Sequence, residues 1–130
     1  MGAFDMLRIA NSSLGMHQTW LDALAHNIAN ASTVRATSED AFQEQLVVAT
    51  ARPDGGVDVS GIELGDAEGI LQHAPDHPLA DADGMVRVPG MDMTVQMTSL
   101  VQAQRGFQAS VQVTRTAQDT YTAALQIGQR

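Results

Sequence analysis

Both ends of this 130-residue chain carry a seven-residue apolar repeat held over about thirty residues. Near the start, Leu7, Leu14, Leu21 and Ile28 recur every seven residues, with Ala3, Ala10, His17, Leu24 and Ala31 on a companion seam. From Met93 onward, steps of four and three pick out Met93, Met97, Leu100, Gln104, Phe107, Val111, Thr114, Gln118, Tyr121 and Leu125. A period near 3.5 residues keeps one face of a helix turned toward a neighbouring helix. The spacing therefore predicts an α+β chain in which two long terminal helices form a coiled-coil-like core and bracket a small insert. The expected division is 1–32 for the first core helix, 33–91 for a loop-rich β insert and 92–130 for the second core helix.

The first helix is expected from Ala3 to Ala31, and the last from Asp92 or Met93 almost to the end. Between them, the apolar block within Phe42–Ala51 reads as a strand, and Pro53-Asp54-Gly55-Gly56 is a strong turn signal. Val57 to Leu64 suggests a second strand, Ile70 to His73 a third and Met85 to Val88 a fourth. The stretch from Ala74 to Gly84 holds Pro75 and Pro78 and reads as a loop. Gly106 interrupts the last helix, where Gly costs about 1 kcal/mol relative to Ala. Either the helix is weak there or a neighbour packs against it closely.

Charge divides the chain in the same places. The net charge is -8, and all seven basic residues are arginines. Residues 1–32 sum to -1, residues 33–92 to -9 and residues 93–130 to +2. An acidic chain without lysine lacks the clustered cations that general nucleic-acid binding requires. A soluble two-stranded coiled coil flanks its seam with Glu and Lys, whereas Gln, Thr, Ser, Asn and Ala flank this one. Helices of that kind suit an environment of other helices. An antiparallel pair within one monomer remains open on periodicity alone.

Chemistry is sparse. With no cysteine, disulfides, thiolate metal sites and cysteine nucleophiles are excluded. Asp81-Ala82-Asp83-Gly84 opens like a calcium loop, but the fifth and twelfth positions hold Met85 and Asp92, so the template fails. Pro75 separates His73 from His77, and His17 reads as a packed seam residue. Neither a nucleophile elbow nor a phosphate-binding glycine loop is present. The expectation is a protein that is not an enzyme, with no catalytic residue, cofactor or metal. No apolar stretch is long enough to predict a transmembrane helix. The opening MGAFDMLRIANSS lacks the features of a Sec signal peptide.

Leu21, Leu24, Ala25, Asn27, Ile28, Ala29, Asn30 and Thr33 match the pattern L-x-x-[IL]-A-x-N-[IL]-A-N-x-x-T. That pattern resembles the N-terminal signature of the bacterial flagellar axial and rod protein family. Asp76-His77-Pro78, Ala80-Asp81, Asp83-Gly84-Met85-Val86 and Pro89 resemble the D-P-x-H-P-x-A-D-x-x-G-Y-V-x-x-P block of that family's proximal-rod branch. Met97, Ala103, Arg105, Phe107, Ala124 and Ile127-Gly128 fall where its terminal helix carries similar residues. The chain departs from the pattern in four places, one of them the absence of a basic residue typical of the last helix. Ser38–Phe42 replaces a G-G-P-Y segment, Met85 stands for an aromatic, and Pro89-Gly90-Met91-Asp92 stands for P-N-V-N.

The resemblance implies a structural subunit of the flagellar basal-body proximal rod, polymerising through its terminal helices into a torque-transmitting shaft. It further implies neighbouring copies, other rod subunits and the flagellar type III export apparatus as partners, without nucleic acid or membrane insertion. The implied location is the periplasmic rod, reached without a cleaved Sec signal. The residues expected at subunit interfaces are Leu7, Leu14, Leu21, Leu24, Asn27, Ile28, Asn30, Thr33, Met97, Leu100, Phe107, Val111, Tyr121 and Leu125. Asn27 and Asn30 also suit an ordinary helix end, where short amides cap free backbone groups. The competing reading of the whole chain is a self-contained coiled-coil adaptor.

Overall fold

A computed structural model describes residues 2–128. The bounds expected at Met1 and Arg130, and the side chain of Ala3 on the companion seam, lie outside what it describes. Six elements follow one another: α1 (Ala3–Ala29), β1 (Gln45–Ala51), β2 (Val57–Leu64), β3 (Ile70–His73), β4 (Met85–Val88) and α2 (Met93–Gly128). The strands form two separate antiparallel pairs, β1–β2 and β3–β4. The architecture is α+β, with two long helices bracketing small sheets.

α1 stops at Ala29, two residues short of the expected Ala31, because Asn30 takes over the helix end. The Asn30 backbone N–H donates to the carbonyls of His26 and Asn27 at 3.2 and 3.1 Å, and its side-chain amide donates to His26 O at 2.9 Å. Thr33 closes the turn by donating from Oγ1 to Asn30 Oδ1 at 3.3 Å. A short amide that satisfies carbonyls left free at a helix end competes with further helix.

β1 starts at Gln45, later than the apolar block beginning at Phe42 allowed, and pairs with β2 from Gln45↔Leu64 to Ala51↔Val57. The register shifts between Val48 and Ala49, leaving Ser60 as the extra residue, and its hydroxyl donates to Val48 O at 3.1 Å. The connecting turn needs positive φ at Gly55 (+88°) and Gly56 (+97°). This turn rests on α1. Arg8 donates to the Asp54 carboxylate at 2.8 Å, to Asp54 O at 2.6 Å and to Gly55 O at 3.2 Å. Ser12 Oγ donates to Ile9 O at 2.7 Å and accepts the Val57 N–H at 3.1 Å.

The second pair runs from Ile70↔Val88 to His73↔Met85, and Arg35 adds an antiparallel bridge to Arg87. The Arg87 guanidinium gathers the surrounding loops by donating to Thr37 O at 3.0 Å and to Glu68 O. Val86, 1 % exposed, is the largest fully buried side chain of this pair.

α2 runs antiparallel to α1. Gln96 lies opposite Asn27, Gly106 opposite His17, Ser110 opposite Ser13 and Tyr121 opposite Phe4. Its buried residues are Gln96, Ala103, Ser110 and Ala117, one every seven. Leu100, Phe107, Thr114 and Tyr121, half-buried, complete the seam. Half of the expected seam is therefore displaced by one position. Met93, Met97, Gln104, Gln118 and Leu125 are exposed and Val111 is half-buried, while the residues preceding Met97, Gln104, Val111 and Gln118 face α1. The reason is the close approach of the two backbones, which only small side chains permit. A Cβ added at Gly106 would lie 2.5 Å from His17 Cδ2 and 3.0 Å from Cε1. The glycine thus answers to a tight neighbour.

Candidate subunit interface

Asn27, 1 % exposed, sits where α1, β1 and α2 meet. Its Oδ1 accepts the Gln45 N–H at 2.7 Å, and its Nδ2 donates to Gln45 O at 3.0 Å and to Gln96 Oε1 at 3.1 Å. Toward β1 the side-chain amide acts as a peptide group on an adjacent strand would. Gln96 continues the chain of bonds, donating from Nε2 to Glu44 Oε2 at 2.6 Å. Both amide protons and the oxygen of Asn27 are used within the chain. The helix-end cap belongs to Asn30 and Thr33, while Asn27 joins the insert to both helices. His26 adds a tilted ring contact to Phe42 at 5.3 Å between centroids.

The apolar candidates share one side of the helical hairpin. On a 3.5-residue period, Leu7, Leu14, Leu21 and Ile28 occupy one angular position, with Leu24 on the adjacent, buried one. Leu100, Phe107 and Tyr121 occupy the matching position on α2, with Met97, Val111 and Leu125 one step outward. Leu7, Leu14, Leu21, Ile28, Leu100, Phe107, Val111 and Tyr121 are half-buried, and Met97 and Leu125 remain 46 % and 48 % exposed. At one end of this side, Phe4 meets Tyr121 edge-on at 5.1 Å. β1 and β2 pack on α1 from the other side, through Arg8, Ile9 and Ser12, and neither sheet packs on α2 among the described residues.

Among the described residues the buried apolar set is Ala10, Ala23, Leu24, Ala41, Val86, Ala103 and Ala117, so five of its seven members are alanines. Larger apolar residues stay outside, among them Phe4 at 69 %, Leu64 at 60 %, Val95 at 56 % and Ile127 at 76 % exposed. A fully buried Leu or Phe contributes about 1.5–3 kcal/mol, so a chain leaving so many of them in water has stabilisation in reserve for contact with other molecules.

The candidate ligand groups are occupied by structural bonds. Asp81 Oδ1 accepts the N–H groups of Met85 at 2.9 Å and Asp83 at 3.0 Å, and Oδ2 accepts the Thr37 hydroxyl at 3.0 Å. The Met85 N–H is the largest cause holding its carboxyl below the ordinary aspartate range; desolvation opposes it, and the Thr37 and Asp83 donors add to the lowering. His77 Nδ1 accepts the Leu79 N–H at 3.1 Å, and His17 Nδ1 bonds Ser13 O at 2.8 Å. Among the described residues no three of His, Cys, Asp and Glu are grouped to hold a metal, and no helix is long and apolar enough to cross a membrane.

Sequence reasoning passed over two features. The first is the Arg8–Asp54 clamp, for which the signal was a lone arginine in the first helix. The second is the Ser13–Ser110 pair at 2.8 Å across the helices, for which the signal was the small residues at 103, 110 and 117.

Comparison with known proteins follows the same lines. A family model described as the flagellar basal body rod FlgEFG protein C-terminal region matches residues 82–127. Over 134 aligned residues the chain is 31 % identical to the flagellar basal-body rod protein FlgC of Salmonella typhimurium, spanning 99 % of this chain and 100 % of that protein. The FlgC of Yersinia enterocolitica is 34 % identical with the same coverage. The FlgC of Bacillus subtilis is 26 % identical, with 98 % of this chain and 99 % of that protein aligned.

Proposed function

This chain belongs to the FlgC family of flagellar basal-body rod proteins, and from that premise we propose that it is a structural subunit of the rod, polymerising through its two terminal helices. The observation that carries the reading is the alanine-dominated interior set against an unfilled apolar side of the α1–α2 hairpin. Leu7, Leu14, Leu21, Leu24, Ile28, Met97, Leu100, Phe107, Val111, Tyr121 and Leu125 form or back that side, which neighbouring helices complete. Asn27, Asn30 and Thr33 set the angle at which the insert leaves the helices, and so fix how each subunit presents its insert to the next. A rod that transmits torque needs stiffness. Many close helix contacts between small side chains supply it, since packed interiors resist compression.

The partners are neighbouring copies and other rod subunits, contacting one another through repeated contacts that do not close into a ring. The subunit reaches the periplasmic rod through the flagellar type III export apparatus, a step taken from family membership. Nucleic acid is not a partner, given a net charge of -8. Among the described residues no helix is long and apolar enough to cross a membrane.

Leu125 offers a clean test because it is 48 % exposed in the single chain. Leu125→Glu should leave the circular dichroism spectrum and thermal midpoint of the purified chain nearly unchanged while abolishing its recovery in isolated basal bodies. Normal recovery of the variant would contradict the proposed face.

A further inference from the structure

An open strand edge presents unpaired peptide groups to any other strand, so edges are ordinarily blunted by charge, a bulge or a covering segment. Two edges of this insert are blunted in that way. Along β2, Asp58 and Glu63 supply charge, the bulge at Ser60 breaks the regular spacing, and Ser12 Oγ accepts the Val57 N–H at 3.1 Å. β4 is covered by Arg35, which exchanges backbone bonds with Arg87 at 2.8 and 2.9 Å. The other two edges, those of β1 (QLVVATA) and β3 (ILQH), carry neither a charged residue nor a proline.

The bonds at the ends of each bare strand show which of its peptide groups face outward. Glu44 O accepts the Gly65 N–H at 2.8 Å and the Arg52 N–H donates to Gly56 O at 3.1 Å, so the even-numbered residues of β1 face β2. Gln45, Val47 and Ala49 face away. Asn27 already holds both outward groups of Gln45, while those of Val47 and Ala49 have no partner among the described residues. Beside Val47 lies a groove of about 340 Å³, bordered by Trp20, Leu24, Leu46 and Val95. In β3, the Ala74 N–H donates to Gly84 O at 2.8 Å, which turns Ile70 and Gln72 toward β4 and leaves Leu71 and His73 facing out. Ile70 and Leu71 are 56 % and 52 % exposed.

We infer that β3 of one copy adds antiparallel to the free edge of β1 in a second copy, with Leu71 opposite Ala49 and His73 opposite Val47. This deepens the rod-subunit reading and rests on it. In this register the outward groups of each pair face one another and exchange two backbone bonds. The next step sets Gln45 against Pro75, where neither needs the other: Asn27 satisfies Gln45, and proline has no N–H to offer. At the other end Arg52 comes level with Glu68, a pairing of opposite charges. A parallel arrangement with Val47 beside Leu71 would instead set Glu44 by Glu68, acid against acid. β1 and β3 lie in different sheets, so each copy uses both edges at once and the contact repeats head-to-tail.

The native chain has no cysteine, and β1 and β3 do not touch within one chain. A disulfide between them is therefore intermolecular. Directly opposed residues of this kind have Cα atoms about 5.5 Å apart, inside the range of roughly 4.4–6.8 Å that a disulfide bridges. Basal bodies would be isolated from strains carrying A49C/L71C or V47C/H73C at the native locus, oxidised, and resolved on a non-reducing gel. A control strain with V59C/L71C places one cysteine on the blunted β2 edge instead. Circular dichroism of each purified variant checks that it folds as the native chain does. A ladder of multimers from either test pair, at least tenfold stronger than from the control, is the expected result. Intact rods with no ladder from either pair, or with a control ladder of equal strength, would overturn this contact and leave the rod reading standing. Basal bodies without this chain in the wild-type strain would overturn both.

Discussion

Replacing Gly106 by Ala sets two effects of known size against each other. In an isolated helix the change stabilises by about 1 kcal/mol, because glycine gives up the most backbone freedom on folding. Here the new methyl would lie 2.5 Å from His17 Cδ2 and 3.0 Å from Cε1, and closer still to Nε2. Ordinary contact begins near 3.4 Å, so the helices must part by about 1 Å or the imidazole must leave its place. The ring is held by the bond from Nδ1 to Ser13 O at 2.8 Å, and Ser13 in turn bonds Ser110. Swinging it out would break that bond and open the seam. Overpacking of this kind costs about 1–3 kcal/mol, which exceeds the gain in propensity. Set against that gain, the net expectation is a loss of up to about 2 kcal/mol, lowering the thermal midpoint by up to roughly 8 °C for a domain of this size. Urea or thermal unfolding would measure it, with His17→Ala as the second arm of a double-mutant cycle. In the His17→Ala background the sign should reverse, and Gly106→Ala should stabilise by up to about 1 kcal/mol. Stabilisation by Gly106→Ala in the native background would refute the close-approach argument.

Two further outcomes follow from the joints. Asn27→Ala strips partners from the Gln45 N–H, the Gln45 carbonyl and the Gln96 amide. Unpaired buried groups cost about 1–3 kcal/mol each, so a loss of roughly 2–4 kcal/mol is expected in urea unfolding, since water will reach some of them. Asp81 and Asp54 both have carboxyls held below the ordinary aspartate value of 3.8, Asp81 first by the Met85 N–H and Asp54 first by the hydrogen bond from Arg52. Groups depressed in the folded state stabilise it fully above that value and lose the effect as pH falls through the lower native one. Stability measured from pH 5 down to pH 2 should therefore decline, and Asp81→Asn should flatten part of the decline. An unchanged profile in the variant would exclude the Asp81 contribution.

How much of this the sequence disclosed depended on how local the deciding interaction was. β2, β3 and β4 were readable to the residue because Gly, Pro and alternating apolar residues mark their ends within a few positions. The strand expected within Phe42–Ala51 contracted to Gln45–Ala51, because its start is set by pairing with Leu64. In α1 the companion seam was partly legible: Ala10 and Leu24 are buried, but so are Ala23 and Asn27, which lie off both seams, and Ala31 falls beyond the helix. The α2 seam was half legible: Leu100, Phe107, Thr114 and Tyr121 face α1, but their companions are Gln96, Ala103, Ser110 and Ala117. Periodicity favours the larger apolar residue at each step. The distance between two backbones favours the smaller one, and that distance depends on Gly106 and His17, far apart in sequence. Asn27 shows the same limit. A helix-end amide suggests a cap, and only the folded chain brings Gln45 and Gln96 to it.

The central claim is that this chain is part of the flagellar axial structure, held there by its terminal helices. Cryo-electron microscopy of basal bodies from a strain lacking the chain, beside a complemented strain, tests it most directly. The account predicts membrane rings without a rod in the deletion strain and a restored rod on complementation. Intact rods and normal swimming without the chain would contradict it.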